Sequence, residues 1–294
     1  MFFAFSGVRK HPFFRLMRLD KPVGTYLVLL PALTALWLAA DGVPDLWTLF
    51  VFIAGAYVMR SAGCVINDYA DRHWDGEVAR TCDRPLACGE ITPKAALRLF
   101  VGLLAIGGVL VLTLRPEVLL WAFGAVILAT LYPFTKRWTY YPQLFLGLAF
   151  AWAIPMGFVA VLGEMPSGGW WLFAATVVWA LIYDTWYALV DREDDIKVGI
   201  KSTAVLFGAY VRPIIALLML LMLLCLWQLG LAFDLGVAWW LSLLFVVIHF
   251  MWQLWLVRFE TREAAFSAFR SNVWLGGCLF IGVVFSRSID CLFT

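Results

Sequence analysis

The stretch from Trp47 to Asp75 reads WTLFVFIAGAYVMRSAGCVINDYADRHWD. Residues 47–66 are almost wholly apolar, with Arg60 the one charge among them. About twenty such residues are what a helix needs to cross the hydrocarbon core of a bilayer. The run then stops at Asn67, Asp68, Asp71 and Asp75. A membrane span that closes on a cluster of acids carries those acids to one face of the bilayer.

The rest of the chain repeats the apolar part of this pattern. Of 294 residues 63% are apolar and 14% charged, and there are 16 Trp and 24 Phe. A soluble domain is nearer half apolar and a quarter charged. Nine spans are predicted, at 24–40, 47–66, 97–113, 118–133, 143–162, 170–190, 210–233, 237–257 and 271–289. The expected fold class is all-α, a polytopic membrane protein. No soluble domain fits between the spans, so residues 1–294 are taken as one transmembrane domain.

Lys and Arg test the count. With a cytoplasmic N-terminus, nineteen of them fall in cytoplasmic segments or at the cytoplasmic ends of spans, against Arg115 and Arg287 on the other side. That asymmetry is the positive-inside signal, and a missed or invented span would scramble it. Nine spans then put the C-terminus on the opposite side. Residues 1–21 mix Arg9, Lys10, Arg15, Arg18 and Lys21 with Phe and Leu, and read as an amphipathic basic segment lying on the anionic membrane surface. They lack the long apolar core of a signal peptide. The six cysteines show no paired spacing, so free thiols are expected and a zinc site is not. Nothing in the chain calls for a nucleic-acid partner.

A second acidic cluster, Asp191, Glu193, Asp194 and Asp195, closes the sixth span. Both clusters follow even-numbered spans and so emerge on the same face. Residues four apart share a helix face. Asn67, Asp71 and Asp75 form one line if the helix continues, and Asp191 and Asp195 form another. Two lines of hard oxygen ligands suit Mg²⁺, which takes a few carboxylates, waters and substrate phosphates. Arg72, Arg84, Lys197 and Lys201 supply cations beside them. Acids for a metal and cations for phosphate oxygens are together what a metal–diphosphate complex needs. Arg80, Lys94 and Arg98 read as ordinary interfacial charge.

The run Asn67-Asp68-Tyr69-Ala70-Asp71-Arg72-His73-Trp74-Asp75 resembles the N-D-x-x-D-x-x-x-D signature of the UbiA superfamily of intramembrane prenyltransferases. Tyr183 to Asp195, continuing to Gly199-Ile200-Lys201-Ser202-Thr203, resembles its second signature, in the form of the 4-hydroxybenzoate polyprenyltransferase branch. Arg15–Pro22 and Tyr132–Arg137 match as well. The resemblance implies helices around a central cavity, Mg²⁺ between the two motifs, and an inner-membrane enzyme of ubiquinone synthesis. Its substrates would be a polyprenyl diphosphate and 4-hydroxybenzoate. Two departures, Asp83 before Arg84-Pro85-Leu86 and the following Ala87-Cys88-Gly89, read as loop variation.

On this reading Asn67, Asp71, Asp191 and Asp195 hold metal, with Asp68 and Asp75 as supporting ligands. Asp71, Asp191 and Asp195 are the acids on which catalysis rests. Arg72, Arg84, Lys197 and Lys201 contact diphosphate. Lys136 and Arg137, ending span four, take the acceptor carboxylate or the diphosphate. Arg60 and Asp184 each lie seven residues before their motif, on the same face and two turns deeper. An ionisable group at that depth needs a partner or water. Either the two form an ion pair joining spans two and six, which is the favoured expectation, or they bind the acceptor. Tyr183 and Tyr187 either line the same cavity or pack. His249 is expected to bond across helices. Competing functions are transfer to dihydroxynaphthoate, homogentisate or haem, and an ion-coupled transporter. The transporter would place its acids near the bilayer midplane instead of at one face.

Overall fold

The computed structural model describes residues 11–77 and 81–293, with backbone alone from 289 onward. All regular structure among them is helical. A short α1 (Pro12–Leu16) precedes α2 (Val23–Ala40), α3 (Leu46–Asp71), α4 (Pro93–Leu112), α5 (Val118–Thr135), α6 (Pro142–Ala151), α7 (Ala153–Leu162) and α8 (Gly169–Val198). Then come a short α9 (Thr203–Phe207), α10 (Val211–Ala232), α11 (Val237–Leu256) and α12 (Arg262–Phe293). Nine helices or helix pairs among the described residues are long and apolar enough to cross a membrane. They match the nine predicted spans, but several run further, three of them toward the motifs' side of the membrane. α3 continues to Asp71, α8 to Val198, and α12 begins at Arg262. An apolar run ends at its first charges, whereas a helix needs only backbone bonds to go on. The motif acids therefore stand on rigid helix.

Local chemistry sets the ends and breaks. Asp45 caps α3 by accepting from the Thr48 amide at 2.8 Å. Gly199 (φ +75°) terminates α8 in the left-handed conformation that glycine adopts most cheaply. Span five divides into α6 and α7 because Pro155 has no amide proton to return to Ala151. At the break, the Trp152 indole donates to Trp121 O at 2.7 Å and lies where Gly124 has no side chain.

The spans follow one another around a ring, and α12 closes it against α2 and α8. Inside lipid, association rests on close packing and internal hydrogen bonds more than on the hydrophobic effect. Gly157 of α7 approaches Ala32 and Ala35 of α2, which closes the ring on the side away from the motifs. Trp186 and Trp239 are wholly buried. Three helices are pinned by polar side chains. Trp186 Nε1 on α8 donates to Gln253 Oε1 on α11 at 3.1 Å, and Gln253 Nε2 donates to Ser271 on α12 at 3.1 Å. Trp179 Nε1 donates to Asn272 Oδ1 at 2.8 Å. His249 meets Ser271 Oγ at 3.1 Å, the interhelical bond expected of it. No disulfide joins Cys64, Cys82, Cys88, Cys225 and Cys278.

Of the N-terminal segment expected to lie on the membrane surface, the described part is helical over Pro12–Leu16. One side of it is docked on protein, while Phe14 and Leu19 stay exposed. Leu16 is fully buried, and Phe13 and Met17 pack with it against Ala62, Val65, Leu86 and Ile91. Residues 1–10, with Arg9 and Lys10, and residues 78–80, with Arg80, lie outside the described residues.

Candidate active site

The two motif helices face one another across the ring. Arg60 and Arg84 on one side lie within electrostatic reach of Tyr187 on α8, and Tyr132 of α5 lies within reach of Arg60, Asp184 and Asp71. Span four thus fills the gap between the motif spans. Tyr132 Oη donates to Asn67 Oδ1 at 3.1 Å. Lys136 Nζ, one helical turn on, donates to Asn67 Oδ1 at 3.2 Å and to Asp71 Oδ2.

The predicted line Asn67–Asp71–Asp75 holds over its first two members. Regular helix ends at Asp71, but the Asp75 amide still donates to Asp71 O at 3.0 Å, so one more turn follows. Asp75 and Asp68 are both engaged by arginines. Arg84 Nη1 donates to the two Asp75 oxygens at 2.9 and 2.8 Å and lies 3.1 Å from Asp68 Oδ1. Arg18 Nη2 donates to both Asp68 oxygens at 2.9 and 3.0 Å. Burial pushes the Asp75 carboxyl up to about 6 against the pull of Arg84, with Asp71 and Asp68 adding to the rise. Burial works against the Arg84 charge, but Asp68, Asp75 and Asp71 outweigh it and raise its pKa.

A divalent cation fits these residues. Asp71 Oδ1 is buried and has no hydrogen-bond partner among the described residues. Its other oxygen and Asn67 Oδ1 already converge on a cation, the Lys136 ammonium. Among the described residues no three Asp, Glu, His or Cys side chains come together as a group that could hold a metal ion. On α8, Asp195 is buried and Asp191 half-buried.

The remaining cations divide. Arg72 folds back on its own helix, with Nη1 2.6 Å from Tyr69 O and the guanidinium 4.3 Å over the Tyr69 ring. Arg137 donates to Ala70 O at 2.8 Å and stacks between Trp74 and Phe134, at 4.9 and 5.3 Å. Lys136, Arg137, His73, Trp74, Gly199 and Ile200 line a pocket of about 380 Å³ at this end. Lys201 lies 5.5 Å over Tyr140 and donates to Trp138 O at 3.4 Å. Lys197 is the clear departure. Its side chain is 72% exposed and pairs with Asp194. α8 stays helical through Val198, and two residues at 100° each turn Lys197 away from the Asp191–Asp195 face.

Arg60 lies within electrostatic reach of Tyr132, Tyr183 and Tyr187, and Asp184 within reach of Tyr132 and Tyr183. The Arg60 guanidinium lies 5.9 Å over the Phe150 ring. Gly24 makes room for it. A Cβ on that residue would fall 2.4 Å from Arg60 Nε, so the missing side chain is the slot into which the guanidinium folds. Tyr183 is 2% exposed and packs edge-on against Trp179, while Tyr187 stacks 4.6 Å from Phe269.

Residues 28–277 match the model of the UbiA prenyltransferase family. The chain belongs to this family. Among curated UbiA relatives, the 4-hydroxybenzoate octaprenyltransferase of Chromohalobacter salexigens is 53% identical over 283 residues, 96% of this chain and 95% of the relative. That of Hydrogenovibrio crunogenus is 52% identical over 272 residues, 92% and 95% of the two chains. Solved UbiA structures share the fold. An apo UbiA homolog from Aeropyrum pernix K1 superposes with a TM-score of 0.76 at 22% identity, covering 91% of this chain and 98% of that one. A UbiA homolog from Archaeoglobus fulgidus bound to GPP and Mg²⁺ gives 0.74 at 19%, covering 94% and 99%. The protein is a multi-pass membrane prenyltransferase of the UbiA family.

Proposed function

We propose that the enzyme transfers a polyprenyl group from polyprenyl diphosphate to C3 of 4-hydroxybenzoate, with Mg²⁺ held between Asn67 and Asp71 on one helix and Asp191 and Asp195 on the other. The names of relatives about half identical over nearly the whole chain support the acceptor. One structural observation carries it: the Arg60 guanidinium lies over the Phe150 ring, two helical turns below the acids on the same helix face. Seven residues of helix separate Arg60 from Asn67, about 10 Å of rise. A benzoate whose carboxylate meets that guanidinium directs its hydroxyl end and the neighbouring C3 toward the motif acids. Charge-assisted pairing of this kind is strong where water is scarce.

Arg84 and Lys136 would hold phosphate oxygens, with Arg72 and Lys201 at the rim. Mg²⁺, when bound, supplies Lewis-acid stabilisation of the departing pyrophosphate. The allylic C–O bond breaks, the ring carbon beside the hydroxyl forms the new C–C bond, and a proton leaves that carbon. Tyr132, Tyr183, Tyr187 and Phe150 give the site aromatic walls, which keep water from the allylic cation and favour nearby positive charge. The cation asymmetry supports the bacterial inner membrane, with the acids facing the cytoplasm and the last helix ending on the other side.

The test is incubation of purified enzyme with 4-hydroxybenzoate, an allylic diphosphate and Mg²⁺, beside Asp191→Ala, followed by mass spectrometry. A 3-prenyl product that needs both Mg²⁺ and Asp191 establishes the reaction. Product only with dihydroxynaphthoate or homogentisate moves the acceptor, and none with any of them overturns the proposal.

A further inference from the structure

We infer that Arg18, on the segment before the first span, is a positioning residue for the diphosphate site, and that Asp68 is its seat, not a metal ligand. The inference rests on the metal–diphosphate reading above.

Asp68 is 1% exposed, and both of its oxygens accept from Arg18 while one also faces Arg84. Two guanidinium groups on one carboxylate leave little room for a cation. Direction agrees: one residue past Asn67 is 100° round the helix, so Asp68 points off the Asn67–Asp71 line and toward the N-terminal segment. Arg18 takes a left-handed backbone conformation, φ +56°, to make this contact. Such a conformation is uncommon for a residue other than glycine and persists only where the surroundings hold it. Here they do. Arg18 Nη1 donates to Arg15 O at 2.9 Å. Arg15 grips both Glu90 oxygens at 2.8 Å and donates to Asp83 O at 2.5 Å. Leu16, between them, is fully buried. A continuous chain of ion pairs, joined by the one backbone hydrogen bond from Arg18 to Arg15, runs from Glu90 through Arg15, Arg18 and Asp68 to Arg84 and Asp75.

The consequence falls on Arg84. Arg18 meets most of the Asp68 charge, so Arg84 keeps attraction to spare for phosphate oxygens. Without Arg18, Asp68 draws Arg84 to itself and the diphosphate loses a contact.

The experiment uses full-length enzyme in detergent and compares Arg18→Ala, Arg18→Lys, Asp68→Asn and Arg18→Ala/Asp68→Asn. Equilibrium binding of a non-ionising allylic thiolodiphosphate is measured across a Mg²⁺ titration, and amide hydrogen exchange is followed over 67–75 and 81–91 without ligand. Arg18→Ala weakens analogue binding about tenfold, the scale of one charged hydrogen bond. Arg18→Lys recovers part of it, and the double variant is no weaker than Arg18→Ala alone, because the two side chains act as a unit. The half-saturating Mg²⁺ concentration stays at the wild-type value, and Arg18→Ala and Asp68→Asn speed exchange in the same segments. If Asp68→Asn raises the Mg²⁺ requirement while Arg18→Ala does not, Asp68 is a metal ligand and the inference is wrong. Unchanged exchange in both variants also overturns it. A wild type that binds no analogue counts against the proposed function, while the exchange measurement still decides whether Arg18 is seated on Asp68.

Discussion

Lys136 donates to one oxygen of Asp71 while the other oxygen, buried from solvent, has no hydrogen-bond partner among the described residues. The lysine arrives from α5 and holds the place where Asn67 and Asp71 converge, so it compensates the acids before substrate arrives. Lys136→Ala is expected to lower turnover about 10²- to 10³-fold, the range for losing one preorganised charge contact to a leaving group. It also exposes Asp71 to uncompensated repulsion from its neighbours. The metal-free variant should melt below wild type and gain more from added Mg²⁺ than wild type does, which thermal unfolding in detergent reads directly.

Arg60 and Gly24 give a test specific to the acceptor. Arg60→Ala should cut kcat/KM for 4-hydroxybenzoate by about 30-fold or more, as expected for a charged group deprived of its partner. The KM for the allylic diphosphate should change little. Equal losses for both substrates would refute acceptor binding by Arg60.

Gly24→Ala should mimic this in part. The clash falls on the far end of a flexible side chain, so the guanidinium moves and the helix does not. Acceptor affinity should fall with little change in melting temperature. In an Arg60→Ala background the same substitution should have no further effect on acceptor kinetics.

Lys197 is expected to be dispensable. Its exposed pairing with Asp194 is of a kind worth under about 1 kcal/mol. Lys197→Ala should stay within about twofold of wild type in kcat/KM, whereas Arg84→Ala should not.

Gln253→Leu is a stability test remote from the chemistry. It leaves the Trp186 indole N–H without its acceptor and breaks the link to Ser271. A loss of about 1–3 kcal/mol is expected from an unsatisfied buried donor, read as a lower melting temperature at unchanged KM values.

The spans were legible because membrane crossing is a matter of apolar length, and the shared face of the motifs because parity follows from the count. Depth and direction of Arg60 were legible too, through helix periodicity, but the space its guanidinium occupies was not. Nothing in the residues around Arg60 announces that Gly24, thirty-six positions earlier, would leave it a slot. Arg18 and Asp68 are fifty residues apart and meet through an irregular backbone turn that no periodic pattern encodes. The exposed placement of Lys197 was not legible from its nearness in sequence to an acidic motif, because angle around the helix decides which way it faces. The Trp186–Gln253 and Trp179–Asn272 bonds passed unnoticed because a lone amide in an apolar run looks the same whether it packs, bonds or binds.

Those bonds also divide the ring mechanically. α8, α11 and α12 are stapled together by side chains at several depths, through Trp186, Gln253, Ser271, Trp179 and Asn272. Between α3 and α5, by contrast, the side-chain bonds among the described residues sit at the motif end, through Asn67, Asp71 and Ala70. One wall of the ring is stiff and the other is pinned at a single edge. A bulky hydrocarbon chain threading between the helices is expected to find its room where α3 and α5 lack that pin, away from the acids.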